Sequence, residues 1–196
     1  MAALDIVAEQ GFQGASMSDI AAAAGLAKAS LYDYFDSRNE LISYAVKLWI
    51  VLLEQEGERQ IEAVEDPVRQ LQIFVESIME SFLADKRTVK ITMAVFHLML
   101  SEKSSKKWTS AMFKSVSSVV GTIKQIIEEG ARKRMFRPEA SEYAGQIALN
   151  LMTFLDGISV YYFLDEGRFD LEEQVNLHIR MLIDSLRANR YARRMI

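Results

Sequence analysis

The strongest constraint on the fold is a pair of short helix signals separated by a tight turn, within residues 14–41. Ser16 and Asp19 have the spacing of a capping box, in which the serine oxygen accepts a backbone N–H and the carboxylate reaches back to the serine N–H. The helix that begins there should end at Gly25, since glycine readily adopts the left-handed conformation that closes a helix. A second helix is predicted to start at Lys28, which leaves a turn of helix-turn-helix length between the two.

Two further helix signals flank this pair. Ser37 and Glu40 repeat the capping-box spacing and predict a third start, while the segment before Gly11 has apolar residues on one face. The side chains expected to form a small core between these helices are Leu4, Val7, Ala8, Phe12, Ile20, Leu31, Tyr32, Phe35 and Leu41. The first helix would begin at Met1 without a cap or a preceding polar arm, so we expect the natural chain to extend further upstream.

The composition predicts a soluble all-α protein. The chain has 196 residues, of which 50% are hydrophobic and 26% charged, with only two prolines and nine glycines to interrupt helices. We find no alternating β-branched runs that would indicate strands. No run approaches the roughly 18 to 20 apolar residues of a membrane span, and no signal peptide is recognised. Because cysteine is also absent, we expect a cytoplasmic protein without disulfides and without a membrane partner.

Helical signals continue through the rest of the chain and predict about nine helices in total. A long helix from Ser37 runs to a break at Asp66 and Pro67, which have the positions of an N-cap and a first helical turn. Further apolar stripes at helical spacing follow this break. We therefore predict an N-terminal three-helix helix-turn-helix domain over residues 1–46 and a C-terminal helical bundle over residues 47–196.

Residues 8–41, AEQGFQGASMSDIAAAAGLAKASLYDYFDSRNEL, resemble the N-terminal module of TetR/AcrR-type transcriptional regulators. The shared pattern comprises the aromatic residue after Gly11, the D-I-A of the second helix, the A-G-L turn, the K-x-S-L-Y-x-Y-F recognition helix and the S-R-x-E-L start. The resemblance implies a dimeric repressor of a palindromic operator, whose C-terminal domain binds a small molecule and thereby changes the spacing of two recognition helices. The long helix from Ser37 would transmit that movement, although its residues are equally compatible with plain packing.

The DNA contacts that this resemblance implies lie mostly at the start of the recognition helix, where side chains reach base edges in the major groove and exposed N–H groups meet phosphate. The expected contact residues are Ser16, Lys28, Ala29, Ser30, Tyr32, Tyr34 and Arg38. Tyr34 is expected one turn after Ser30 on the same face. Tyr32 and Arg38 match positions that clamp the DNA backbone in the family, but Tyr32 could instead pack only in the core.

The charge of this region is unfavourable for a nucleic-acid partner. The formal net charge of the chain is −4, and residues 1–47 hold three Lys and Arg against six Asp and Glu, a local charge of −3. Two residues also depart from the family pattern, since Ala27 provides no side-chain cap where serine is frequent, and Asp33 replaces an aromatic residue. Helix N-termini, hydroxyls and backbone N–H groups must then provide most phosphate contacts. The alternative hypothesis is a helical ligand-binding or protein-interaction dimer with little DNA affinity.

Phenylalanine and methionine dominate the apolar stripes of the middle helices, and such side chains can line a deformable apolar pocket. The residues expected to contact an effector are Phe74, Ile78, Phe82, Met93, Phe96, His97, Met112, Phe113 and Val116. Stripes of this kind are more often plain core, and a lone histidine such as His97 is usually structural. The family resemblance is the reason to expect a pocket for a largely apolar small molecule.

Two long helices over residues 141–167 and 171–194 carry more apolar surface than one chain would comfortably cover. Pairing with the same helices of a second subunit would form a four-helix interface, the arrangement that the resemblance implies. The residues expected in this homodimer interface are Phe154, Gly157, Ile158, Tyr162, Ile179, Leu182 and Leu186.

Catalytic functions find no support in the residues. His97 and His178 are the only histidines, so helical zinc and di-iron motifs lack their ligands, and we expect no metal and no cofactor. No glycine-rich phosphate loop and no G-x-S-x-G motif is present. We therefore expect a protein that is not an enzyme.

Overall fold

The computed structural model describes residues 1–84, 86–100, 106–165 and 168–187, which form ten helices and no strand. The helices are α1 (Ala2–Gly14), α2 (Met17–Ala23), α3 (Lys28–Tyr32), α4 (Arg38–Ile61), α5 (Pro67–Ala84), α6 (Lys86–Leu100), α7 (Lys106–Arg132), α8 (Glu139–Glu142), α9 (Ala144–Leu164) and α10 (Leu171–Leu186). The all-α class predicted from the sequence is confirmed. The additional helix is α8, a single turn too short to give a periodic signal.

The chain divides into two compact units, each built from two separate segments. The first unit comprises Met1–Glu54 and Ser81–Val116. The second comprises Gln55–Glu80 and the described residues from Ser117 onward. Helices α4, α5 and α7 therefore contribute residues to both units. The functional boundary expected after residue 46 stays a prediction.

The core of the first unit contains most of the side chains expected there. Leu4, Val7, Ala8, Phe12, Ile20, Leu31 and Leu41 are buried together, and Phe35 packs against them partly buried. Tyr32 differs from the expectation, because half of its surface is exposed. The α3 backbone ends at Tyr32, and its one buried side chain is that of Leu31.

Helix α6 completes this core, although it follows α1 by more than 70 residues in the sequence. Ile91 belongs to the same buried cluster as Leu4, and Ala94 packs against that cluster. At the helix starts, the guanidinium of Arg87 donates to the carboxylate of Asp5 over 2.7 Å. The three-helix core expected from the sequence is therefore extended by a fourth helix from a distant segment.

Two glycines in the second unit allow aromatic rings to approach a helix backbone closely. A Cβ atom on Gly57 of α4 would lie 2.8 Å from the ring of Phe74, and a Cβ atom on Gly130 of α7 would overlap the ring of Phe136. Both rings are 1% exposed. Phe74 and Phe136 are therefore anchored in the core by contacts that only glycine permits.

Helix α9 is unusually apolar for a surface element. By length and composition alone, its 21 residues are sufficient to cross a membrane, with a mean hydropathy of 1.5 over 18 residues, of which 28% are buried inside the chain. Buried side chains recur along one face, from Ala144 through Leu151 to Ser159. The remaining faces leave much apolar surface uncovered within one chain.

Candidate nucleic-acid interface

The start of α2 is held by the capping box expected from the sequence. The Asp19 N–H donates to Ser16 Oγ over 3.1 Å, and the Ser16 N–H donates to Asp19 Oδ2 over 3.3 Å. Two backbone donors at this helix start are thereby satisfied, which fixes the direction in which α2 leaves α1. The side chain of Ser16 itself is half-buried.

The turn after α2 is a Schellman motif. The Leu26 N–H donates to the Ala21 carbonyl over 2.9 Å, and the Gly25 N–H donates to the Ala22 carbonyl over 3.1 Å. Gly25 has a φ of 67°, so it provides the left-handed conformation that this motif requires. The predicted helix end at Gly25 is confirmed.

Helix α3 is shorter than the predicted recognition helix, because regular helix ends at Tyr32. Lys28 and Ala29 are exposed in its first turn and Ser30 is half-buried, while Leu31 points into the core. Tyr34 is 81% exposed but lies in the turn that follows α3. The Asp33 N–H still donates to the Ala29 carbonyl and the Phe35 N–H to the Leu31 carbonyl in this turn. That Tyr34 shares a face with Ser30 stays a prediction.

The exposed part of Tyr32 lies beside a cation of the same helix. The Lys28 ammonium is 6.0 Å from the centre of the Tyr32 ring, at the limit of a cation–π contact. Since half of Tyr32 is exposed, its hydroxyl-bearing ring is available for an external contact. The first turn of α3 therefore presents a positive charge, a small side chain and an aromatic ring on one exposed surface.

Arg38 forms its hydrogen bonds within residues 1–46. Its Nη1 donates to the carbonyls of Gln13 and Ala15 over 3.1 and 3.0 Å. Its Nε and Nη2 both donate to Asn39 Oδ1, and the guanidinium lies 4.9 Å from the centre of the Phe12 ring. The arginine expected to contact phosphate thus links the end of α1 to the first turn of α4.

The carboxylates counted against DNA binding are partly used for internal contacts. Asp19 completes the α2 capping box, Asp5 pairs with Arg87 of α6, and Glu40 accepts the N–H of Asp36 over 2.9 Å. The second predicted capping box is therefore only half formed: the Glu40 N–H donates to Ser37 Oγ, but the Glu40 carboxylate bonds one residue earlier. In sequence terms the whole first unit holds ten Lys and Arg against nine Asp and Glu, a net charge of +1.

The residues expected around an effector lie in different parts of the fold. Phe74 is buried and Ile78 half-buried in the second unit, whereas Phe82 is buried and Met93 half-buried in the first. The side chains of the other five, Phe96, His97, Met112, Phe113 and Val116, lie outside the described residues. The effector site stays a prediction.

The second unit contains an open cavity of about 570 Å³ that has none of those residues in its lining. Its walls are Gln55, Glu58, Arg59, Ile61, Glu62, Gln70, Thr122, Gln125 and Ile126. Arg59 is tied to Glu56 by two hydrogen bonds of 2.9 and 2.6 Å, which lower the pKa of Glu56 to about 2. The polar lining makes this cavity a poor match for an apolar effector.

The residues expected in a dimer interface divide into exposed and internal groups. Phe154, Gly157, Ile158, Tyr162 and Leu182 are half-buried within one chain. Ile179 and Leu186 are buried against their own unit and have almost no surface left for a partner. The outward faces of α9 and α10 instead expose five large apolar side chains that sequence reasoning missed: Leu149, Tyr161, Leu164, Leu177 and Met181.

These five residues lie opposite the buried stripes of the two helices, so helical spacing from the core positions could have located them. Leu164 is 75% exposed and Met181 is 64% exposed. We call them, with the half-buried Phe154, the outer apolar surface. In the described residues, no three His, Cys, Asp or Glu side chains come together as a metal site.

The exposed first turn of α3, which follows the capped helix α2 across a Schellman turn, has the arrangement of a helix-turn-helix. Residues 1–45 match the family model described as bacterial regulatory proteins, tetR family. A curated relative, an uncharacterized HTH-type transcriptional regulator YvdT of Bacillus subtilis, is 29% identical over 107 residues. That match spans 55% of this chain and 54% of the relative, so about half of each protein is compared. Residues 1–45 are therefore similar to the N-terminal module of TetR-family regulators.

Solved structures share the fold over almost the whole chain. The fatty acid degradation regulator FadR from Bacillus halodurans has a TM-score of 0.79 at 21% identity, covering 95% of this chain and 96% of its own. The transcriptional regulator FadR from Bacillus subtilis, in complex with stearoyl-CoA, has a TM-score of 0.74 at 16% identity, covering 94% and 96%. Both relatives are named as regulators and neither as an enzyme.

Proposed function

We propose that this protein is a dimeric, ligand-responsive transcriptional repressor of the cytoplasm, which binds a palindromic operator and is released by a small, largely apolar effector. The observation that carries the proposal is the exposed first turn of α3 on its capped scaffold. A helix start of this kind presents side chains to base edges and N–H groups to phosphate. We also propose that the protein is not an enzyme.

In this proposal α3 enters the major groove with Lys28, Ala29 and Ser30 facing base edges. The hydroxyls of Tyr32 and Tyr34 and the start of α2 at Ser16 would contact the phosphate backbone, which positions the helix without reading sequence. The ion pair of Asp5 with Arg87 supports the proposal, because it offsets the charge of one of the carboxylates counted against DNA binding. Affinity would still fall steeply with salt.

Dimerisation would place two such modules on two half-sites. The outer apolar surface supports it, since a monomer in water would leave the side chains of Tyr161, Leu164 and Met181 largely uncovered. Helix α9 adds to this surface, since only 28% of its most apolar 18-residue window is buried inside the chain. A second copy of α9 and α10 would cover both helices and form a four-helix interface.

For the effector we propose a molecule with a long acyl chain. The Bacillus subtilis FadR structure contains stearoyl-CoA, and the phenylalanine and methionine side chains predicted around our effector site suit an aliphatic chain. The proposed lining is the predicted set from Phe74 to Val116. Residues 1–46 would then read DNA while residues 47–196 bind the effector and the second subunit.

Helix α6 offers a route from effector to DNA. It packs on α1 in the core of the first unit, and Arg87 at its start pairs with Asp5. An effector that moves α6 would therefore move α1, to which α2 and α3 are joined through the same core. Such coupling requires that DNA and effector favour different arrangements of these helices.

The proposal is tested by selecting operators from a randomised duplex library and measuring binding by fluorescence anisotropy in a salt series. We expect a palindromic consensus, one dimer for each duplex, and loss of binding when stearoyl-CoA is added. A variant with both Lys28→Ala and Ser30→Ala should lose the consensus but remain folded. If no sequence is enriched even at low salt while light scattering gives a dimer, the alternative of a ligand-binding or protein-interaction dimer is correct.

A further inference from the structure

We infer that Arg38 is a positioning residue of the helix-turn-helix segment, residues 1–46. It holds the end of α1 against the start of α4 and is not a phosphate contact. The inference rests on the proposed function, because this segment is taken to bind DNA. It differs from the role that the family pattern implies for this position. The geometry of one guanidinium group carries it.

The hydrogen bonds of Arg38 use nearly all of its donors. An arginine has five N–H groups. Two on Nη1 go to the carbonyls of Gln13 and Ala15, and one each on Nε and Nη2 goes to Asn39 Oδ1. One N–H remains, so the bidentate geometry that makes arginine a strong phosphate ligand is not available without breaking internal bonds.

The groups around the Arg38 guanidinium also favour the position that it occupies. The backbone of α1 is kinked at Gly11, and the carbonyls of Gln13 and Ala15 lie beyond this kink, where the Arg38 guanidinium donates to both. The guanidinium also lies over the ring of Phe12, a buried residue in the core of the first unit. Moving Arg38 toward a phosphate would leave these carbonyls without their donor and uncover the ring.

The hydrogen bonds of Arg38 to the carbonyls of Gln13 and Ala15 join elements that set the orientation of α3. Ala15 immediately precedes Ser16, the N-cap of α2, and Arg38 is the first residue of α4. Any shift of the α4 start is therefore passed directly to the α2 start, and through the Schellman turn to α3. Arg38 thus acts on DNA binding through the backbone at residues 13–16.

The test compares Arg38→Met and Arg38→Lys with Lys28→Met, an exposed cation on α3 that serves as the matched control. Operator affinity is measured as a function of salt. For Lys28→Met we expect weaker binding and a slope of log K against log salt that is smaller by up to about one, because one ammonium group at the DNA and the counterion that it releases are lost. For both Arg38 variants we expect affinity about tenfold weaker at every salt concentration with an unchanged slope, because lysine lacks the planar fork.

A second measurement does not depend on DNA. In the free protein, hydrogen–deuterium exchange of peptides covering residues 12–19 should be faster in Arg38→Met than in the wild type, and unchanged in Lys28→Met. Unchanged exchange in Arg38→Met would overturn the inference even if the wild type bound no DNA, a result that would reject the proposed function separately. A reduced salt slope in Arg38→Met with full affinity in Arg38→Lys would also overturn it, in favour of a phosphate contact.

Discussion

The ring of Phe154 on α9 lies flat on the imidazole of His178 on α10, with ring centres 3.7 Å apart and planes within 9° of parallel. Burial lowers the pKa of His178, so the neutral imidazole is the form that suits this stack. The neighbours of His178 one turn away on α10, Gln174 and Leu182, do not titrate. Phe154 of this pair belongs to the outer apolar surface that we propose for dimerisation.

The first prediction concerns the pH dependence of folding stability. A histidine whose pKa is lower when folded contributes stability that is present above its ordinary value of 6.5 and is lost as pH falls through the folded value. We therefore expect a smaller free energy of unfolding at about pH 5.5 than at about pH 7.5, measured by urea unfolding. His178→Phe keeps a ring on Phe154 and should reduce this difference. An equal decrease in the wild type and in His178→Phe would contradict the prediction.

The second prediction concerns Asp156, a largely buried carboxyl on α9. Desolvation by burial raises its pKa from 3.8 to about 6. The folded chain therefore binds the carboxyl proton more tightly than the unfolded chain does. The stability that this proton contributes is lost as pH rises through about 6. We expect Asp156→Asn to gain roughly 1–3 kcal/mol in the free energy of unfolding at about pH 7.5 and little at about pH 4.

Denaturant unfolding at both pH values measures this gain. Asp184→Asn on α10 is the control, because Asp184 is exposed and pairs with Arg187 over 3.2 Å. The gain should be absent in the control. An equal gain for Asp156→Asn at both pH values would show that the carboxyl charge is not its cause.

Local signals in the sequence predicted several helix starts and ends well. The Ser16 capping box, the left-handed Gly25 and the helix start at Pro67, where Asp66 Oδ1 accepts the Val68 N–H, all depend on residues within a few positions of each other. Such contacts are set by backbone geometry that neighbouring side chains decide. For the same reason the missing cap at Ala27 was foreseeable, and α3 has no side-chain cap.

Contacts between distant segments could not be predicted in the same way. The guanidinium of Arg38 finds carbonyls more than 20 residues away, and Arg87 finds Asp5 across 82 residues. Apolar residues at helical spacing also do not indicate which of them face the core of their own chain and which face outward. Ile179 and Leu186 were therefore expected at an interface although they are buried inside their own unit, while the exposure of Leu177 and Met181 was not predicted.

The third prediction uses two glycines of α7. Gly130→Ala would place a methyl group in the ring of Phe136, which is buried and cannot move away, so we expect a loss of roughly 1–3 kcal/mol. Gly121→Ala on the same helix meets no atom within 4 Å and should gain about 0.5–1 kcal/mol, because alanine favours helix over glycine. Urea unfolding curves of the two variants measure both values. A loss of equal size in both variants would mean that α7 tolerates no substitution and that the ring contact is not specific.

The last prediction repairs the uncapped start of α3. Ala27 has φ −70° and ψ 141°, the extended conformation of an N-cap, but it has no side-chain oxygen to accept a helix N–H. Ala27→Thr should add that acceptor and raise the free energy of unfolding by about 0.5–1 kcal/mol. Ala27→Val is the matched control, since valine has the shape of threonine without the hydroxyl.

The difference between these two variants isolates the cap from any effect of side-chain size or β-branching. We expect Thr to be more stable than Val in urea unfolding, and operator affinity to be no weaker than in the wild type, because a firmer α3 start holds Lys28 and Ser30 in place. Equal stability of the two variants would mean that the added hydroxyl accepts no helix N–H. In that case the start of α3 would be fixed by the buried Leu31 and the Schellman turn, and not by its own cap.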